Sequence, residues 1–180
     1  MGSRLPALAS GTMVVILVGP GRAGMSLGLA LRAAGHRITA VVGRGDVTSS
    51  ASRLDADFVG VEGPLPPADL LVVAVSDGAI AEVAATLASR VTGLQGAIHL
   101  SGAVPVAALQ PLAALGVAVG AFHPLQSFPD PDRGARALPG SAVAITATDP
   151  NLHEMLERLA ADLGMRPFDL SDENRALYHA

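Results

Sequence analysis

The chain contains no cysteine. Disulfides, thiolate nucleophiles and zinc–thiolate sites are therefore excluded, and an intracellular, cytoplasmic setting is the expectation. Lysine is missing too, because all 12 residues counted as Lys or Arg are arginines. Neither a Schiff-base mechanism nor a lysine general acid can come from within this chain. Positive charge is not in excess: the formal net charge is −4. That argues against nucleic-acid binding through bulk electrostatics. No apolar run approaches the roughly 18 residues that a bilayer-spanning helix requires, so no membrane partner is expected. His-x-His and His-Glu-x-x-His spacings do not occur and the carboxylates are scattered, which leaves no metal site to expect.

What is present is a chain of 180 residues, half of them hydrophobic. That is ample for a single domain with one core. The abundance of Ala, Val, Gly and Arg reads as genomic bias, so Ala-rich helices carry little functional information. Residues 1–12 hold one arginine and lack the apolar centre of a signal peptide. They read as a flexible extension, with the fold starting at Met13.

From there, strand and helix patterns alternate. Strands are expected near 13–18, 37–42, 57–61, 70–75, 97–100, 117–121, 142–146 and 165–169. Helices are expected near 22–34, 48–54, 78–90, 105–115, 149–163 and from 172 onward. The segments 13–18 and 70–75 are apolar on both faces, as central parallel strands are. The fold class is therefore α/β: a doubly wound, mainly parallel Rossmann-type sheet with helices on both faces, spanning 13–170. Residues 124–140 are Pro-rich and read as one long irregular loop. Residues 171–180 begin a helix, capped by Ser171 or Asp172, and read as the start of a truncated helical domain.

The most specific local feature is Val14-Val-Ile-Leu-Val-Gly-Pro-Gly-Arg-Ala-Gly24, an apolar strand running into a glycine turn and then a helix. Gly19 would make the tight turn. Gly21 would let backbone approach a pyrophosphate. Gly24 would let the helix pack closely on the sheet. Arg22, Ala23 and Gly24 begin that helix, where free N–H groups and the positive dipole end favour phosphate. Twenty residues past Gly24, where an NAD-binding unit wants an acid on the ribose 2′-OH, stands Arg44. A guanidinium there suits a 2′-phosphate, which points to NADP over NAD, although Asp46 keeps an NAD-type contact open. Ser76 and Asp77 follow the strand at 70–75, where they either line the cofactor or cap a helix.

Two histidine motifs end the next strands: His99-Leu-Ser-Gly-Ala103 and His123-Pro-Leu-Gln-Ser-Phe128. Both are expected on the edge that carries the glycine turn. Reduction of a carbonyl needs a proton donor beside the hydride acceptor, and imidazole suits that role. His123, Ser101, His99 and Gln126 are therefore the candidate catalytic groups, with Ser127 as a further candidate for a substrate carbonyl or carboxylate. His36 and His153 read as structural or solvated.

Together with Gly43-Arg44, Val75-Ser-Asp77, Leu138-Pro-Gly140 and Leu177-Tyr178-His179-Ala180, these motifs resemble a family of oxidoreductases with a Rossmann-like N-terminal domain and a helical C-terminal domain of unknown function. That family is similar to the 6-phosphogluconate dehydrogenase-like group, including deazaflavin-dependent NADP oxidoreductases, pyrroline-5-carboxylate reductase and ketopantoate reductases. The resemblance implies that NADP lies on the N-terminal domain and that the substrate site closes against the helical domain, often with help from a second subunit. The Tyr178-His179-Ala180 string would open that domain, and its loss would expose an apolar face through which a homodimer is expected. The implied activity is hydride transfer to a small carbonyl or imine, a 2-ketoacid among the candidates. A non-catalytic nucleotide-sensing module and an adenosylmethionine-binding enzyme are the alternatives.

Overall fold

The computed structural model describes residues 11–175. Eight strands form one sheet: β1 (Val14–Val18), β2 (Arg37–Gly43), β3 (Asp57–Gly60), β4 (Leu70–Val73), β5 (Gly96–His99), β6 (Ala118–Pro124), β7 (Ala142–Ala147) and β8 (Arg166–Asp169). All eight fall where the apolar runs predict them. Their order is β3-β2-β1-β4-β5-β6-β7-β8. Pairing is parallel from β3 through β6, β7 runs antiparallel to β6, and β8 is parallel to β7.

Among the described residues six α-helices cover the sheet: α1 (Arg22–Ala33), α2 (Thr48–Arg53), α3 (Ile80–Ala88), α4 (Gln110–Ala113), α5 (Pro131–Ala137) and α6 (Pro150–Asp162). Strand alternation sorts the core into two layers. Val15, Leu17, Leu70, Val72 and Ile98 face one way, against side chains of α1, α2 and α6. Ile16, Val18, Leu71, Val73 and Ala97 face the other way, against α3, α4 and the 3₁₀ turn Val106–Leu109. Strands sandwiched on both faces must be apolar throughout, which is why β4 reads Leu-Leu-Val-Val and is wholly buried.

The sheet winds outward in both directions from the β1/β4 pair. That reversal leaves a crevice beyond the carboxyl ends of these two strands, since their connections leave to opposite sides. The glycine turn after β1 and the segment after β4 meet there. The Gly19 amide donates to Val42 O at 2.9 Å, and the Ala74 amide donates to Val18 O at 2.7 Å.

One expectation is corrected. Residues 124–140 are not one irregular loop: β6 runs on to Pro124, and Pro131–Ala137 form α5. Asp130 caps that helix by accepting from the Arg133 amide at 2.8 Å, with Pro131 in its first turn. The same Asp-Pro start opens α6 at Asp149. Helix α5 crosses α1 so closely that a Cβ on Gly134 would lie 2.1 Å from Ser26 Oγ. The helix expected over 78–90 starts with a 3₁₀ turn, Asp77–Ala79, and the one over 105–115 starts with the 3₁₀ turn Val106–Leu109 before it becomes α4.

Strand β8 closes one flank of the sheet with all four residues exposed, Pro167 among them. Beyond it, Asp172–Asn174 form a further 3₁₀ turn. Tyr178 and His179 lie outside the described residues, as do residues 1–10 of the expected extension. Among the described residues no helix is long and apolar enough to cross a membrane.

Candidate cofactor and active site

The three glycines of the first turn differ in what surrounds them. Gly19 has φ +90°, and a Cβ there would sit 2.7 Å from Ala74 O. Gly24 would place a Cβ 2.3 Å from Gly19 O and 2.9 Å from the Ala74 methyl, so α1 can lie against β1 and β4 only because nothing protrudes. Gly21, by contrast, has nothing within 4 Å of the corresponding position. It is the N-cap of α1 in extended conformation, with no side-chain cap. The first amides of a 12-residue helix thus begin beside open space, with no acid in the first turn. Arg22 is exposed, Ala23 is half-buried and Gly24 is buried. This is a surface to which an anion can be brought flush with backbone donors.

Arg44 leaves the end of β2 with its side chain 76% exposed. It makes an ionic contact with Glu82 of α3 at 3.7 Å, long enough and wet enough to be broken by a ligand. Asp46 is occupied locally: its carboxylate accepts from the Thr48 amide at 2.9 Å, and those Thr48 bonds hold it below the usual carboxylate range. Ser76 and Asp77 are both exposed just beyond β4, and Ser76 makes no side-chain capping bond.

The two histidine motifs do reach the same edge, on adjacent parallel strands. The environments of the two rings are different. His123 is half-buried, and its Nδ1 lies 2.9 Å from Leu100 O. A carbonyl only accepts, so Nδ1 carries a proton and Nε2 is the nitrogen at which protonation changes. His99 is wholly buried, and neither ring nitrogen has a hydrogen bond of ordinary geometry among the described residues. Burial, and then the charge of Arg175, push it down to about 4, against the opposing pull of Asp172, the Pro105 carbonyl and Asp77. His99 is therefore a neutral ring beneath the surface. Ser101 Oγ accepts from the Ala103 and Val104 amides at 3.1 and 3.0 Å, shaping the turn after β5 while keeping its own proton to donate. Gln126 is half-buried and Ser127 is exposed just past β6.

Sequence reasoning missed Arg175. This guanidinium is 1% exposed and sits directly behind the turn after β5. Its Nη1 donates to Ser101 O at 3.2 Å and Gly102 O at 3.4 Å. Asp172 is its one local partner; Ser101, Gly102 and Thr146 lie on two segments remote in sequence.

A cavity of about 660 Å³ opens at the opposite, N-terminal edge of the strands, lined by Val14, Arg37, Asp57 and Asp69 among others. Asp69 is already committed there, accepting from the Val14 amide and from Gln95. None of the candidate residues lines that cavity. No group of His, Cys, Asp and Glu among the described residues could hold a metal.

The sequence profile of the Rossmann-like domain family matches residues 5–124. The chain belongs to that family. No curated protein matches it in sequence. Solved structures share the fold of this Rossmann-like domain. A Bacteroides fragilis protein, provisionally assigned as an NADP oxidoreductase, superposes with TM-score 0.80 at 24% identity over 93% of this chain and 64% of its own. Aquifex aeolicus prephenate dehydrogenase, solved with hydroxyphenyl propionate and NAD+, gives 0.75 at 16% identity, covering 93% of this chain and 63% of its own. Plasmodium falciparum pyrroline carboxylate reductase with NADP bound gives 0.67 at 10% identity, with 91% and 60% covered. The chain thus spans somewhat less than two thirds of the length of these structures.

Proposed function

We propose that this Rossmann-like chain binds NADP(H) in the crevice between β1 and β4, and that it serves an oxidoreductase that transfers hydride to or from a small carbonyl or imine such as a 2-ketoacid. The observation that carries the reading is the contrast within the glycine turn. Gly19 and Gly24 admit no side chain for reasons of packing, whereas Gly21 borders open space at an uncapped helix start. Only Gly21 lacks an internal reason to be glycine, and an approaching pyrophosphate supplies one. The first amides of α1, with Arg22 beside them, would receive that pyrophosphate. Arg44 would take the 2′-phosphate by leaving Glu82, and Ser76 and Asp77 would border the ribose.

Bound there, the nicotinamide supplies hydride chemistry. The chain's own groups then supply placement and a proton. His123, with Nδ1–H fixed on Leu100 O, exchanges its proton at Nε2. Ser101 Oγ can donate to a substrate oxygen, and Gln126 can orient it. His99 stays neutral beneath them and touches nothing that reacts. Any homodimer, and any contribution from a helical domain, belongs to this proposal.

The experiment is a thermal-shift titration with NADPH, NADH and adenosylmethionine, followed by a screen of 2-ketoacids for NADPH oxidation. Stabilisation by NADPH ahead of the other two is expected. Turnover, where found, should be lost in His123→Ala with NADPH binding kept. Stabilisation by adenosylmethionine alone would overturn the reading, and nucleotide binding without turnover would leave a sensing module.

A further inference from the structure

The turn that follows β5 is braced from behind at both of its ends. At the near end, Arg175 Nη1 donates to Ser101 O and Gly102 O. At the far end, both oxygens of Asp172 accept from the Val106 amide, at 3.2 and 3.0 Å. The two braces are one unit, because Arg175 Nε donates to Asp172 Oδ1 at 2.7 Å. Nη2 of Arg175 donates to Thr146 Oγ1 on β7, and that hydroxyl donates in turn to Leu170 O. A guanidinium 1% exposed is held only when its donors are this well used.

The front of the same turn carries an imidazole. A Cβ on Gly102 would lie 2.6, 2.8 and 3.0 Å from Nε2, Cδ2 and Cε1 of His123. Three ring atoms at such distances mean that the ring lies across the Gly102 Cα. The ring's Nδ1 is meanwhile tied to Leu100 O, one residue before the turn. The carbonyl of Leu100 therefore holds the ring while the next two carbonyls, of Ser101 and Gly102, are held by the guanidinium.

We propose that Arg175 is a positioning residue for His123, fixing the 101–102 backbone so that the imidazole keeps its Nδ1–H tautomer and its place at the crevice. The value of that tautomer for chemistry rests on the function proposed above. The brace itself does not. Arginine is required over lysine, since four acceptors on three segments are reached by one planar fork. The segment 170–175, remote in sequence from both histidine motifs, thereby governs the geometry of the proposed proton donor.

The test is long-range ¹H–¹⁵N correlation spectroscopy of the histidine rings in the full chain, without nucleotide, with His123→Gln to assign the signal. The wild-type His123 ring, when neutral, should show two widely separated nitrogen shifts, with Nδ1 protonated. In Arg175→Met the two shifts should converge as the tautomers exchange. Thr146→Val, which removes one acceptor and keeps the side-chain volume, should show partial convergence. Retention of the wild-type separation in folded Arg175→Met overturns the proposal, as does retention in Thr146→Val should Arg175→Met not fold. Because nucleotide is not in the sample, failure of NADPH to bind would be seen separately and would bear only on the cofactor reading.

Discussion

Replacing Gly21 and Gly24 by alanine in turn separates a glycine kept for a ligand from one kept for packing. At Gly21 the backbone has φ −73° and ψ −175°, which alanine adopts freely. Alanine is a poorer N-cap than glycine by about 0.5 kcal/mol. Restricting the unfolded chain returns roughly 0.4–1 kcal/mol. With no atom within 4 Å of the new methyl, nothing else changes, and stability should be nearly unaltered. At Gly24 the methyl would enter between Gly19 O at 2.3 Å and Ala74 Cβ at 2.9 Å, so backbone must move. Overpacking of that kind costs about 1–3 kcal/mol. For a domain of this size each kcal/mol moves Tm by roughly 2–4 °C, so Gly24→Ala should melt roughly 2–12 °C low.

The ligand response inverts that order. At a hundred times Kd, NADPH stabilises the wild-type chain by about 2.7 kcal/mol, a rise of roughly 5–11 °C. If a methyl at 21 costs about a hundredfold in affinity, the same concentration yields only about 0.4 kcal/mol, a rise of roughly 1–2 °C. The assay is differential scanning fluorimetry of the three chains with and without NADPH. A Gly21→Ala chain that keeps the full NADPH response refutes the phosphate-binding assignment. A Gly24→Ala chain as stable as wild type refutes the packing argument.

Arg44→Asp should weaken NADPH by far more than NADH in calorimetric titrations, because a carboxylate repels the 2′-phosphate that the guanidinium would hold. Equal losses would show that Arg44 does not meet that phosphate. The pH dependence of stability should carry two opposite histidine signatures, read from denaturant midpoints. His99 ordinarily titrates near 6.5 and falls to about 4 when buried, so the unfolded chain takes up a proton that the folded one refuses. Stability is lost as pH falls from the first value towards the second, by roughly 3 kcal/mol, and His99→Leu should flatten that limb. His153 is raised, chiefly by its hydrogen bond to Asp169. Its contribution is complete below its unfolded value and disappears as pH rises through the folded one, so His153→Gln should remove a small alkaline loss.

Much of the fold was legible because the signal is repetitive. The central parallel strands are short apolar runs, and most strands are followed by a helix with an apolar face. Helix α5 escapes the sequence reading because the four prolines of 124–140, with Gly134 and Gly140, look like loop chemistry. The two histidine motifs stand on adjacent strands at one edge, as their spacing predicts, although β6 runs past the expected 117–121 to include His123 and Pro124. What could not be read was which strand-end group faces outward. β5 is four residues long and covered on both faces, so neither alternation nor length said that His99 would be interior. Arg175 was illegible for a different reason: its four acceptors come from residues 101, 102, 146 and 172, a set that exists only once β5, β7 and the segment after β8 have met.

The outermost strands also govern how separate molecules of this protein can meet. On one flank, Pro167 offers no amide, so a visiting chain finds a broken row of donors. On the other flank, β3 gives out after four residues at Gly60, too short a rung for another backbone to lengthen. Among the described residues, neither margin offers a long unbroken row of main-chain donors as a template for pairing between copies.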